Sequence, residues 1–252
     1  MNVRMIRAEL LRLQRSRGVV AWSVLLSVGA VAAMFLAVLG FHLNDPSHYG
    51  PAGGADNLRH ALGVLAVVGG VGAAIAGASA GTADLSSGVF RDLVVTGVSR
   101  LALFRARVPG LLLFWVPIML AAYAVAIGFT FGLANGLPTP TATDVVKDGL
   151  WLMSVTTVTA LVSLGVSSVI GSRGISIGVL LGWQLAATPL LMAAGPLGPA
   201  REALLSAAAD RLQPFRGDSG VAMAYGTALV VMAAWAVIPL LAGGWRTRTR
   251  ES

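Results

Sequence analysis

Residues 19–41 read VVAWSVLLSVGAVAAMFLAVLGF, a run of 23 residues without one charged side chain. As a helix this run is about 34 Å long, at 1.5 Å per residue. The hydrocarbon core of a bilayer is about 30 Å thick, so the run is long enough to cross it. It is too long for the core of a signal peptide and lacks a convincing cleavage site. The sequence therefore predicts a membrane-spanning helix here.

Five further apolar runs of similar length follow. The predicted spans are 19–41, 61–82, 108–132, 150–171, 175–195 and 221–243. Hydrophobic residues make up 56% of the chain and charged residues only 12%, a balance far outside the range of soluble domains. We predict an all-α integral membrane protein in which residues 1–252 form a single transmembrane domain of six helices.

The basic residues are distributed unevenly between the two sides of this alternation. Thirteen of the 18 precede span one, separate spans two and three, or follow spans four and six. These are Arg4, Arg7, Arg12, Arg15, Arg17, Arg91, Arg100, Arg105, Arg107, Arg173, Arg246, Arg248 and Arg250. Because cytoplasmic loops retain Lys and Arg, we expect both termini in the cytoplasm. The preference for Arg over Lys and the abundance of Ala, Gly and Val are typical of a high-GC bacterium, which indicates the plasma membrane.

Two segments outside the spans have patterns of their own. In residues 1–17, Val3, Ile6, Leu10 and Leu13 recur at helical spacing, which predicts an amphipathic helix in the cytoplasmic interface, unless the segment is only a basic topology signal. Residues 196–220 form an external segment, in which 200–213 are predicted to contain a short helix. Small residues repeated every fourth position in spans two, three and five predict close helix contacts, within the chain or with a second one.

Several classes of function are disfavoured. The only lysine is Lys147, so the chain has no phosphate-binding loop of the G-x-x-x-x-G-K-[ST] type and no ATPase motif of its own. No charged residue lies near the middle of a span, where ion-coupled carriers usually need one. The basic residues form no patch interleaved with aromatics, so nucleic acid is not an expected partner, whereas anionic lipid is. The absence of cysteine excludes thiolate chemistry.

Polar residues inside the spans are the candidates for a substrate path. Span four carries a ladder of hydroxyls that includes Thr156, Thr159 and Ser163, and Gln184 is an amide well inside span five. The hydroxyls either bond to carbonyls of their own helix or line a polar path. An amide in the membrane needs a partner, so we expect Gln184 to face protein rather than lipid.

Two patterns resemble enzyme or metal sites. Residues 77–81 read GASAG and match the G-x-S-x-G pattern of serine hydrolases around Ser79. The only histidines, His42, His48 and His60, lie at the external end, so Ser79 has no base within reach, and we interpret the motif as helix packing. The histidines have no spacing typical of a metal site, and we predict neither a catalytic residue nor a metal.

The cytoplasmic segment 84–107 contains the most distinctive pattern outside the spans. It reads DLSSGVFRDLVVTGVSR at 84–100, followed by Arg105 and Arg107, which gives an acidic residue, Gly and Arg, an apolar pair, and Ser-Arg before a basic residue. This order resembles the corresponding loop of ABC-2 type transporter permeases. It departs from the pattern with Asp84 for the usual Glu, Val89 for Thr and Arg107 for Lys. The amphipathic N-terminal helix, the six spans and the external helix also resemble that family.

The resemblance implies an ABC-2, type V exporter-like architecture in which 84–100 is a coupling helix that docks on an ATPase. The residues expected to couple are Asp84, Phe90, Arg91, Leu93 and Arg100. Two ATPase copies would bind ATP and Mg, and a second permease, the same or a sister chain, would complete the dimer. We expect export of an amphiphilic small molecule such as a drug or antibiotic. The alternative is a non-transporting scaffold or sensor partner that recruits a cytoplasmic protein.

Overall fold

A computed structural model describes residues 3–86, 99–215 and 223–249 of the 252-residue chain. Within these ranges the protein is helical and contains no β-strand. A short helix α1 (Val3–Arg15) precedes α2 (Arg17–Asn44), α3 (Ala55–Thr82), α4 (Leu101–Gly132), α5 (Ala142–Ile170) and α6 (Arg173–Ala193). A 3₁₀ segment (Gly195–Ala203) and α7 (Leu205–Leu212) then lead to α8 (Tyr225–Thr249).

Six helices in the described part of the chain are long and apolar enough to cross a membrane: α2, α3, α4, α5, α6 and α8. Each coincides with one of the predicted spans, so the fold is that of a multi-pass, all-α protein. The helices of the third and fourth spans begin earlier than predicted, at Leu101 and Ala142. The first turns of these two helices contain polar residues and so lie outside the apolar runs in the sequence. They are helical because capping residues precede them.

Local hydrogen bonds explain both of these early starts. The Ser99 hydroxyl accepts a hydrogen bond from the Ala102 amide at 3.3 Å and caps α4. Thr141 and Asp144 form a reciprocal capping box at the start of α5.

At the end of α2, Asp45 accepts a hydrogen bond from the Ser47 hydroxyl at 2.6 Å, and this bond lowers the pKa of the exposed carboxyl.

Three of the long helices pack side by side in the same direction. The Ser163 hydroxyl of α5 donates to the Ala74 carbonyl of α3 at 2.6 Å, and Ser168 donates to Gly81 at 3.4 Å, so the two helices advance together. Gly165 and Gly243 bring α5 equally close to α8. We name the two ends of this layer the Arg59 end, where α3, α5 and α8 begin, and the Arg107 end, where they finish.

The remaining helices cover this layer on two sides. On one side α4 runs against α3 in the opposite direction, because Met119 lies beside Gly69 while Arg107 reaches Gly81. The buried face of α1, with Glu9 and Leu13, packs against the start of α4. On the other side lies α6, which has few buried residues in the isolated chain and touches α3 and α5. This leaves a space between α3, α5, α6, α7 and α8.

Candidate functional site

A cavity of about 740 Å³ occupies this space. Its volume lies in the usual range for small-molecule sites, and its wall is mostly apolar with a few polar groups, as is common for such sites. From α3 the wall takes Arg59, His60, Gly63, Ala66, Val67 and Ala74, and from α5 it takes Trp151, Val155, Thr159 and Val162. Residues of α6, α7 and α8 close the remaining sides.

The charged part of the cavity lies at its Arg59 end. Arg59 and His60 lie in the first turns of α3, and Asp210 of α7 and Gln213, directly after that helix, also line the cavity. Arg59 also forms an ion pair with Asp56 at 2.9 Å, in which both side chains are well exposed. This end of the cavity therefore carries both positive and negative side chains, and the Arg59–Asp56 pair remains accessible to water.

Aromatic side chains form much of the apolar wall. The Trp151 and Trp235 indoles donate their N–H groups to the carbonyls of Ala209 and Ala203, each at 2.8 Å. Phe215 meets Trp151 edge to face with ring centroids 5.7 Å apart. Because these indole donors are already used, the two rings offer apolar surface rather than polar groups to the cavity.

The structure divides the four predicted path residues into two pairs. Thr159 and Gln184 line the cavity, although the Thr159 hydroxyl donates to the Val155 carbonyl of its own helix at 2.9 Å. Thr156 and Ser163 are fully buried away from it. The Thr156 hydroxyl donates within α5, to the Leu152 carbonyl at 2.9 Å, and Ser163 bonds α5 to α3. The hydroxyl ladder therefore serves helix packing more than it lines a path.

The Gln184 side chain of α6 reaches α3. Its amide nitrogen donates to the Val67 carbonyl at 3.3 Å. Both partners lie in π-helical segments, Gly182–Ala187 in α6 and Leu65–Gly69 in α3. Such wide turns are rare and occur frequently at functional sites. The amide faces protein, as the sequence predicted, and it is the polar group of the cavity farthest from the charged end along α6.

The predicted coupling residues are largely beyond what the structure describes. Phe90, Arg91 and Leu93 lie outside the described residues. Asp84 and Arg100 have helical backbone, in the last turns that follow α3 and directly before α4. The structure therefore describes only the two helices between which this segment runs.

Sequence reasoning missed the buried polar contacts at the Arg107 end. Arg107 is only 2% exposed, and its guanidinium donates to the Gly81 carbonyl at 3.1 Å. Arg12 of α1 reaches the neighbouring Ala80 carbonyl at 3.5 Å and pairs with Glu9. These contacts tie α1, α3 and α4 together at the Arg107 end. The acidic Glu9 within the otherwise apolar face of α1 was the available signal.

The patterns that resembled enzyme and metal sites have other environments. The Ser79 hydroxyl donates to the Ile75 carbonyl of its own helix at 2.7 Å. His42 hydrogen-bonds the Tyr49 carbonyl at 2.6 Å, whereas His60 belongs to the cavity wall. Among the residues that the structure describes, no three His, Cys, Asp or Glu side chains come together as metal ligands would.

Comparison with protein-family models and with curated proteins found no match to this chain.

Proposed function

We propose that this chain is the permease subunit of an ATP-driven ABC-2 type exporter. The cavity would be part of the path for an amphiphilic small molecule such as a drug or antibiotic. The observation that carries the proposal is one cavity, among helices long enough to span a membrane, with an apolar, tryptophan-rich wall and a charged end. An amphiphile has the same division between an apolar body and a polar head.

The proposed route of energy coupling follows a single helix. Segment 84–100, which resembles a coupling helix, continues from α3, and α3 itself forms one wall of the cavity through Gly63, Val67 and Ala74. A displacement at the Arg107 end would reach that wall through hydrogen-bonded helix, without a flexible link. Two ATPase subunits would bind ATP with Mg and supply the free energy of hydrolysis. A second permease, the same or a sister chain, would complete the assembly in the bacterial plasma membrane, with both termini cytoplasmic.

The first test is co-purification from native membranes in mild detergent, with an ATPase assay on the eluate. We expect the tagged chain to bring down a soluble ATPase. Replacing Phe90 and Arg100 together by Ala should lower the eluted ATPase activity at least tenfold, because an apolar anchor and a charged contact are typical hot spots of an interface.

A control variant changes the same kinds of residue at the opposite end of the helices. Leu43→Ala with Lys147→Ala removes one exposed apolar and one exposed basic side chain there. It should retain the activity of the unmodified chain. Equal activity in both double variants, or isolation of the chain alone from several detergents, would contradict the proposal and favour the scaffold.

A further inference from the structure

The Gln184 amide has hydrogen-bonding capacity that the protein does not use. A side-chain amide offers two N–H donors and a carbonyl acceptor. One donor goes to the Val67 carbonyl, and this is the only hydrogen bond that Gln184 makes within the described residues. The other N–H and the amide oxygen remain for a molecule in the cavity, since Gln184 forms part of the cavity wall.

Gly70 makes the position of this amide possible. A Cβ atom at Gly70 would lie 2.5 Å from the Gln184 amide nitrogen, which is far too close. Gly178, on the same helix as Gln184 but not part of the cavity wall, provides a comparison, because a Cβ atom there would meet nothing within 4 Å. Gly70 therefore leaves room for the amide, and the Val67 carbonyl accepts its hydrogen bond.

The surroundings of Gln184 in the cavity are uncharged. Its neighbours in the wall include Val67, Leu180 and Trp183, whereas Arg59 and Asp210 belong to the other end. Val67 is eight residues beyond Arg59 on α3, or about 12 Å along the helix. A charged group carried to this depth would lose water without gaining a countercharge, at a high cost in free energy. The part of a ligand that reaches Gln184 is therefore uncharged.

We propose that the N–H group of Gln184 that Val67 does not use donates to an acceptor on the uncharged, ring-containing body of an amphiphile, and that this body lies along the tryptophan wall. This inference deepens the proposed function and rests on its claim that the cavity takes small molecules. A phospholipid does not supply this acceptor, because its ester oxygens lie at the membrane interface. Gln184 is near the middle of the 21-residue α6. A carbonyl or ether oxygen at that depth has to belong to the apolar body of the ligand, and the tryptophan wall favours a body that contains rings.

The test measures binding to the purified chain in lipid nanodiscs, without any ATPase. The probe is Nile red, an uncharged ring dye with a carbonyl oxygen, and its binding is followed by quenching of tryptophan fluorescence. Protein-free nanodiscs give the correction for partition into lipid. Nile blue has the same ring skeleton with a positive charge and an amino group in place of the carbonyl, so it is the matched probe without the acceptor.

Two variants remove the proposed contact in different ways. Gln184→Met removes the amide and nearly keeps its size, whereas Gly70→Ala displaces it. The displaced atom is the end of a flexible side chain, so the helices need not separate. We expect saturable binding of Nile red, with a Kd raised about three- to tenfold in both variants, as for one lost hydrogen bond. Gly178→Ala, which adds a methyl group outside the cavity wall, should stay within about twofold of the unmodified chain.

Three results would overturn the inference: no saturable binding of Nile red, equal binding by all variants, or equal affinity for Nile blue. Because the assay contains no ATPase, it separates this inference from the proposed function. Loss of the ATPase from the co-purification would refute the exporter without altering the binding result. Normal co-purification with unchanged binding in Gln184→Met would refute only the role of Gln184.

Discussion

At the scale of single residues, Arg105 and Arg107 have the same side chain in the same segment but different environments. Both are basic, two positions apart, and both contribute to the sequence pattern that predicts a cytoplasmic loop. In the structure Arg105 is exposed, whereas Arg107 is buried and donates to the Gly81 carbonyl. The sequence does not show which of the two is buried. The face of α4 that meets α3 depends on contacts between residues that are far apart in the chain.

Replacing Arg107 by Met should lower the free energy of unfolding by about 1.5–3 kcal/mol, the range for a lost hydrogen bond to a charged group. Arg107→Lys keeps the charge without the planar guanidinium and should give an intermediate value. Thermal unfolding in detergent measures the effect, with Arg105→Met as the control. If the two Met variants unfold at the same temperature, the burial of Arg107 is not stabilising.

The predicted path residues show the same limit of sequence reasoning. The spacing of Thr156, Thr159 and Ser163 placed all three on one helix but did not say which neighbour each would face. Only Thr159 reaches the cavity. The partner of Gln184 could be predicted, because an amide in a span needs a protein partner whichever way the helix faces.

At the scale of helices, small residues decide where two backbones touch. Cβ atoms at Gly77 and Gly81 would lie 2.3 and 2.0 Å from atoms of α5, and one at Gly165 would lie 2.3 Å from the backbone of α8. The glycines of the other two predicted series behave differently. Cβ atoms at Gly128, Gly132, Gly136, Gly174, Gly178 and Gly182 would meet nothing within 4 Å. The repeat therefore predicts a flat surface but not its partner.

Gly165→Ala should destabilise the protein by about 1–3 kcal/mol, because the new methyl group meets backbone atoms that cannot move aside. The matched control is Gly178→Ala, where the space is open and the better helix propensity of Ala should leave stability unchanged or slightly raised. The fraction of protein that remains monodisperse after heating in detergent distinguishes them. Equal losses in both variants would mean that α5 and α8 are not in close contact.

At the scale of the whole molecule, the six apolar runs of the sequence correspond to the six long helices. Their number and approximate bounds could be predicted because hydrophobic length is a local property of the chain. The parallel packing of α3, α5 and α8 could not, since it depends on contacts between residues about 90 positions apart, such as Ala74 with Ser163. The cavity is a consequence of that packing and was equally beyond prediction.

The proposed orientation has a direct test in a chain that contains no cysteine. Single cysteines at Ser47 and Thr139, both exposed at the Arg59 end, should react with a membrane-impermeant maleimide in intact cells. Cysteines at the exposed Gln14 and Thr249 should react only after permeabilisation. Labelling of the second pair in intact cells would reverse the orientation inferred from the basic residues.

The parallel packing of α3, α5 and α8 also aligns their helix dipoles, so the partial negative charges of three carbonyl ends gather at the Arg107 end. Arginines stand at each of these ends. Arg12 and Arg107 donate to carbonyls near the end of α3, Arg173 follows α5, and Arg246 and Arg248 lie in the last turn of α8. The positive charges that predict orientation thus also offset the mutual repulsion of aligned dipoles. Moving them to the opposite loops would weaken the bundle as well as its topology signal.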